Sequence, residues 1–266
     1  MAAYHAKKRL GQNFLKTDSI IEWVVSLVDP KPDDTIVEIG PGRGALTLPL
    51  AESGASVWAV EFDRDLIGYL TALMSKQINV RLIHADFLSF DPASIPGEKF
   101  KLIGNLPFNI TSPVIDWCLR HRARIACAVL MVQKELGARI AASPGGKDWS
   151  PLSILTQIVF DVEQAFDVAA SHFHPRPEVT STVLRLAPRT GAQYELPISF
   201  ERVVRASFRQ RRKLLVNNLA SEVTVNSSEL ASIMAECGLP GTARAEEVGI
   251  EKFLALTEAL QRHKLV

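Results

Sequence analysis

The chain has 266 residues, of which 47% are hydrophobic and 22% charged, with a formal net charge of +1. That size suits one domain with an appendage, or two domains, and the near-neutral balance gives no global attraction to nucleic acid. Apolar runs such as residues 125–132 are too short to span a bilayer, and the basic start, residues 1–9, lacks the apolar core of a signal peptide. Cys118, Cys127 and Cys237 lie far apart without C-x-x-C spacing. They read as reduced buried thiols of a cytoplasmic protein, not as disulfides or metal ligands.

Taken in chain order, residues 20–28 form an amphipathic helical pattern behind a Thr17-Asp18-Ser19 cap signal. Residues 35–39 are a β-branched strand running into a glycine-rich turn. Residues 45–53 read as helix, 56–60 as strand, 64–74 as helix and 79–83 as strand. Short apolar strands follow at 101–104 and 125–132, then helices at 134–141 and 151–160 and strands at 161–168 and 180–186. Strands separated by helical patterns predict an α/β, doubly wound, mostly parallel sheet. The last two strands have only a Pro-rich loop between them and predict an antiparallel hairpin. Composition changes at Ala187-Pro188-Arg189-Thr190-Gly191, and beyond it only helical periodicity remains, at 200–208, 212–219, 228–237 and 250–262. The expected division is 1–188 for the α/β domain and 189–266 for a small all-α domain of about four helices. Ser143-Pro144-Gly145-Gly146-Lys147 reads as a mobile loop inside the first domain.

Cations cluster in three places: Lys7, Lys8 and Arg9; Arg120, Arg122 and Arg124 with His121; and Arg202 to Lys213, which holds Arg205, Arg209, Arg211 and Arg212. In an otherwise balanced chain, three such clusters point to a phosphate-tracking face.

Glu38-Ile39-Gly40-Pro41-Gly42-Arg43-Gly44 joins the first long strand to its helix. Glycines there allow tight turning and close ligand approach at a helix start. The spacing is G-x-G-x-G, not the G-x-G-x-x-G of the dinucleotide fingerprint. Glu61 ends the next strand, where a carboxylate accepts both hydroxyls of a ribose. Asp86 ends the strand after that and is placed to accept from an adenine amine, with Phe87 against the adenine face. Three successive strand ends thus describe an adenosine pocket, and the glycine spacing favours S-adenosylmethionine over NAD.

Asn105-Leu106-Pro107-Phe108 follows the apolar run 100–104, on the lip of the sheet. The Asn105 side-chain oxygen and the Leu106 carbonyl each accept one hydrogen of an exocyclic amine, and Phe108 stacks on the base that carries it. An adenine N6 amine is a poor nucleophile because its lone pair is delocalised into the ring. Two such hydrogen bonds favour a pyramidal, more nucleophilic nitrogen. Phe173, in His172-Phe173-His174-Pro175-Arg176-Pro177, is the candidate for the other face of an extruded base. The His-x-His pair has no third ligand nearby, so no metal site is expected.

These motifs resemble the rRNA adenine N6-dimethyltransferases, a class I methyltransferase family, and most of all its bacterial small-subunit branch of the kasugamycin-resistance type. The matching pieces are GQNFL (11–15), VEIGPGRGALT (37–47), VEFD (60–63), HADFL (84–88), GNLPFNI (104–110), residues 173–179 and SFRQRRKLLVNNL (207–219). They cover nearly the whole chain. The resemblance implies a Rossmann-like seven-stranded sheet with a C-terminal helical domain. Gln12, Asn13 and Leu15 would close over the methionine part of S-adenosylmethionine, and Gly40, Gly42, Glu61, Phe62, Asp86, Phe87 and Asn105 would line the rest. Leu106, Phe108 and Phe173 would join Asn105 in the acceptor clamp. A basic helix with Arg209, Arg211, Arg212 and Lys213 would face rRNA. The implied substrate is a pair of adjacent adenines near the 3′ end of small-subunit rRNA, in a 30S or pre-30S particle, with the chain acting as a monomer. Phe108 stands where most relatives carry Tyr, so stacking survives and a hydroxyl is lost. Alternatives are a large-subunit, antibiotic-resistance methylase, a DNA adenine methyltransferase, and an assembly factor acting mainly by binding. An NAD oxidoreductase lacks any residue placed for hydride chemistry.

Overall fold

Runs of β-branched and apolar residues build the first compact unit, Met1–Gly137 with Phe160–Pro188. The computed structural model describes residue 7 and residues 11–189, 196–223 and 225–266. The strands are β1 (Phe14–Leu15), β2 (Thr35–Ile39), β3 (Ser56–Glu61), β4 (Val80–His84), β5 (Phe100–Asn105), β6 (Ile125–Gln133), β7 (Phe160–Val168), β8 (Phe173–His174) and β9 (Ser181–Pro188). Seven of them form one sheet in the order β4-β3-β2-β5-β6-β9-β7. The pairs from β4 through β6 are parallel, and β9 runs antiparallel to both β6 and β7. This is the expected parallel sheet with its closing antiparallel pair.

The inner parallel strands β2, β3, β5 and β6 are buried on both faces, which is why they read as nearly unbroken apolar runs, while the edge strand β4 is partly exposed; in β6, residues 127–132 are all buried. Helix α1 (Asp18–Val28) buries Ile20, Val24 and Val28, one residue per turn, in a cluster with Ile36, Val129 and Met131. Helices α2 (Thr47–Glu52) and α3 (Arg64–Leu73) connect β2 to β3 and β3 to β4. Helix α4 (Thr111–Arg120), to which the sequence reading assigns nothing, buries Val114, Ile115, Trp117 and Cys118. Because the chain leaves β2 towards β3 and returns beside it as β5, a crevice opens at the carboxyl ends of these strands. A two-stranded ribbon outside the sheet pairs Phe14 with His174 and Leu15 with Phe173.

The second unit is Ala138–Val159 with Arg189–Val266. Helix α5 (Lys134–Ile140) leads into it, and α6 (Pro151–Gln157), α7 (Phe200–Ser207), α8 (Leu215–Leu219), α9 (Ser227–Glu236) and α10 (Ile250–Arg262) complete it. Its core joins Phe200, Val203 and Val204 of α7 to Phe253, Leu256 and Leu260 of α10. Trp149 is 1% exposed, and its ring N–H donates to the Val248 carbonyl at 2.9 Å. The sequence division at residue 188 leaves out that residues 138–159 belong with the helical unit. The loop 143–147, expected inside the first domain, also belongs here: the Gly145 N–H donates to the Glu246 carbonyl at 2.7 Å. Thr190 and Gly191 of the composition change lie outside the described residues. Among the described residues no helix is long and apolar enough to cross a membrane.

Candidate active site

The turn after β2 carries Gly40 and Gly42 with φ of 62° and 57°, backbone that side chains other than glycine rarely adopt. A Cβ on Gly42 would lie 2.9 Å from the Phe14 ring, so the glycine also admits β1 against the turn. The Gly42 N–H donates to Glu61 Oε2 at 3.2 Å and the Asp63 N–H to Glu61 Oε1 at 2.8 Å. These bonds hold the Glu61 carboxyl in place. Burial pushes the Glu61 carboxyl above its ordinary range, and backbone N–H donors at Asp63, Gly42 and Phe62 pull the other way.

Glu38 was missed as a site residue. It is 1% exposed, it lines the cavity, and its Oε2 has no hydrogen-bond partner among the described residues. Burial pushes its carboxyl up to about 8. An acid inside the apolar strand Thr-Ile-Val-Glu-Ile was the available signal, because a strand buried on both faces leaves a carboxylate no route to water. Asp63 was also overlooked. It caps α3 by accepting from the Asp65 N–H, and it accepts from Lys7 Nζ at 2.7 Å and Gln12 Nε2 at 3.1 Å.

Beyond β4, Asp86 commits Oδ1 to the Leu88 N–H at 3.0 Å and is exposed. Phe62 is 60% exposed, an aromatic ring standing at the cavity rim. Phe87 lines the same wall but is buried against Trp117, with ring centroids 4.5 Å apart. Asn105 closes β5, and its Nδ2 donates to the Asn13 carbonyl at 2.8 Å. The Leu106 N–H donates to the Met131 carbonyl at 3.0 Å, which anchors the turn to β6. Phe108 and Phe173 line the same cavity as Asn105 and Leu106, but Phe173 is 2% exposed because it packs in the core cluster that holds Leu15.

The expected cation clusters separate. Lys7 is paired with Asp63 and Asp65, which holds its ammonium charged well above the usual range, while Lys8 and Arg9 lie outside the described residues. Arg124 donates to the Ile95 and Gly97 carbonyls and sits over the Phe100 ring, so it braces a loop. Arg209, Arg211, Arg212 and Lys213 do not lie on a helix. They occupy the connection between α7 and α8, because buried Asn218 donates to the Ser207 carbonyl at 2.7 Å and the Gln210 carbonyl at 3.1 Å, capturing groups a continuing helix would use. Arg209 pairs with Glu222, and Arg211 with Glu246 and the Lys147 carbonyl. Arg212 and Lys213 are exposed.

Gly40, Glu38, Glu61, Asp86, Asn105, Phe108 and Phe173 therefore share one cavity of about 310 Å³, within the roughly 300–1,000 Å³ common for small-molecule sites. It fits an adenosyl sulfonium. The glycine turn admits close approach, backbone N–H groups orient the Glu61 carboxyl, and the buried Glu38 oxygen is left for a ligand group to partner.

The family model described as ribosomal RNA adenine dimethylase matches residues 3–262. A ribosomal RNA small subunit methyltransferase A of Desulfitobacterium hafniense is 40% identical over 97% of this chain and 93% of the relative. One from Xylella fastidiosa is 41% identical over 96% of each. Among solved structures, a dimethyladenosine transferase from Plasmodium falciparum superimposes with a TM-score of 0.82 at 23% identity, covering 95% of this chain and 98% of that one. The 23S rRNA methyltransferase ErmE superimposes at 0.71 with 29% identity, covering 94% and 100%. With the class I methyltransferase fold, a cavity suited to its cofactor and a family match over nearly all of its length, this chain belongs to the ribosomal RNA adenine dimethylase family.

Proposed function

We propose that this chain methylates, twice each, the N6 amines of two adjacent adenines in a hairpin loop near the 3′ end of small-subunit rRNA, with S-adenosylmethionine as donor. The observation that carries the reading is the continuity of one cavity, from the glycine turn and Glu61 to Asn105, Phe108 and Phe173. When bound, S-adenosylmethionine supplies a methyl group on a sulfonium, whose neutral thioether is a very good leaving group.

Glu61 holds the ribose hydroxyls and Asp86 the adenine amine of the donor, with Phe62 against its ring. Gln12, Asn13 and Leu15 wall the cavity on the methionine side. In the acceptor half, Asn105 Oδ1 and the Leu106 carbonyl take the two N6 hydrogens, which localises the nitrogen lone pair for in-line attack. Phe108 and Phe173 hold the extruded base between their rings. No strong base is required, since the product ammonium is acidic and loses its proton to water. The work of the site is positioning. Arg212 and Lys213 contact rRNA phosphates, with Arg209 and Arg211 framing them. The chain acts as a monomer on a 30S or pre-30S particle in the cytoplasm.

The deciding experiment is methyl transfer to small subunits isolated from a strain lacking this activity, followed by mapping of the sites. Dimethyladenosine at the two neighbouring adenines is the expected result. Methyl groups confined to large-subunit rRNA, or found as monomethyl-deoxyadenosine, would overturn the reading.

A further inference from the structure

Asn105 is the acceptor residue in the reading above, and the present inference rests on that assignment. Its side chain is a planar amide with a donor end and an acceptor end, so it serves an incoming amine only when Oδ1 faces the base. Within β5 nothing selects that orientation. The selecting contact comes from a segment ninety-two positions earlier: Nδ2 donates to the Asn13 carbonyl at 2.8 Å. With Nδ2 committed there, Oδ1 is presented on the opposite side of the amide.

The segment 11–17 is itself held at both ends and along its length. On the β3 side, Gln12 Nε2 reaches Asp63 at 3.1 Å, and Lys7 reaches the same carboxylate. On the β8 side, the Lys16 N–H donates to the His172 carbonyl at 3.0 Å, and Thr17 Oγ1 lies 3.0 Å from His172 Nδ1. Between these anchors, Phe14 enters the cluster of Leu66, Leu70 and Met74, while Leu15 enters the cluster that contains Phe173. The turn that aims the Asn13 carbonyl is set by Gly11. Gly11 has φ of 63°, and its carbonyl accepts from Asn13 Nδ2 at 3.1 Å.

We propose that Gly11 and the Asn13 backbone carbonyl are positioning groups for the acceptor amide. The N-terminal segment sets the orientation of Asn105 and, through the Leu15–Phe173 pairing, ties that setting to the second base-stacking ring. Orienting Asn105 is then a task of this segment in addition to the cofactor-side wall that Gln12, Asn13 and Leu15 provide.

The test uses the full chain with Gly11→Ala, Gly11→Asn and Asn105→Ala. A Cβ at position 11 has room, its nearest neighbours being 3.5 Å away, so alanine acts by disfavouring the positive φ, which asparagine tolerates better. Single-turnover methylation of small subunits at saturating S-adenosylmethionine is read beside the dissociation constant of S-adenosylhomocysteine from calorimetry. Gly11→Ala should slow the single-turnover rate at least tenfold, a loss at least threefold larger than any in the dissociation constant, and Gly11→Asn should restore most of the rate. Equal losses in rate and affinity, or an unchanged rate in Gly11→Ala, would overturn the inference. A Gly11→Asn variant as slow as the alanine would also overturn it. Asn105→Ala separates the two levels. If it keeps full rate, the acceptor assignment fails. If it is inactive while Gly11→Ala is normal, only the role of the N-terminal segment fails.

Discussion

Glu61 and Glu38 sit on neighbouring strands of one cavity wall, yet their surroundings give them different tasks. Glu61 is fixed by two backbone N–H groups, so it is a preorganised acceptor. Removing a hydrogen-bonded charge from such a setting costs about 1.5–3 kcal/mol. Glu61→Ala should therefore weaken S-adenosylhomocysteine binding about 10- to 100-fold by calorimetry, and an unchanged affinity would rule out the ribose role. Glu38 has no such support, and burial raises its carboxyl from 4.5 to about 8. Between those two pH values the folded chain holds a proton that the unfolded chain has released, so stability falls as pH rises through the window and levels off above it. Thermal melts of the ligand-free protein should show that decline from pH 6 to 8, and Glu38→Gln should flatten it. A slope that persists in the glutamine variant would assign the linkage to another group.

Single elements show what the sequence made visible and what it hid. Strands β2, β3, β5 and β6 were legible because burial on both faces forces unbroken apolar runs, and their ends carried the site with them. Helix α4 was hidden by Pro113 within Asn-Ile-Thr-Ser-Pro, a stretch that resembles a turn; proline is tolerated there because the first helical turn has no internal partners for its N–H groups. The β1–β8 ribbon was invisible because two residues carry no periodicity, and with it went the contact that orients Asn105. The basic run after α7 kept a helical pattern on paper, but Asn218 breaks the helix by binding the carbonyls of Ser207 and Gln210. Asn218→Ala should leave the buried Ser207 carbonyl unsatisfied and destabilise the helical unit by about 1–3 kcal/mol in denaturant melts. An unchanged midpoint would mean that solvent satisfies it.

Across the whole molecule, the cations divide by task. Arg211 is tied to Glu246 and the Lys147 carbonyl, so Arg211→Ala should lower the melting temperature by a few degrees. Arg212→Glu with Lys213→Glu should instead leave the melt intact and weaken binding to small subunits. The slope of log affinity against log salt should shrink by about one to two, roughly 0.7 to 0.9 for each phosphate contact removed. Unaltered co-sedimentation with subunits at every salt concentration would remove this face from the RNA surface. The helical unit also has an unusual chain path, because residues 138–159 supply Trp149 while its carbonyl partner, Val248, belongs to the far segment. During translation the tryptophan is therefore made long before its carbonyl partner. At about 5–20 residues per second, the intervening hundred residues keep that ring waiting for several seconds. Premature termination anywhere between positions 149 and 248 would leave the indole N–H without that carbonyl.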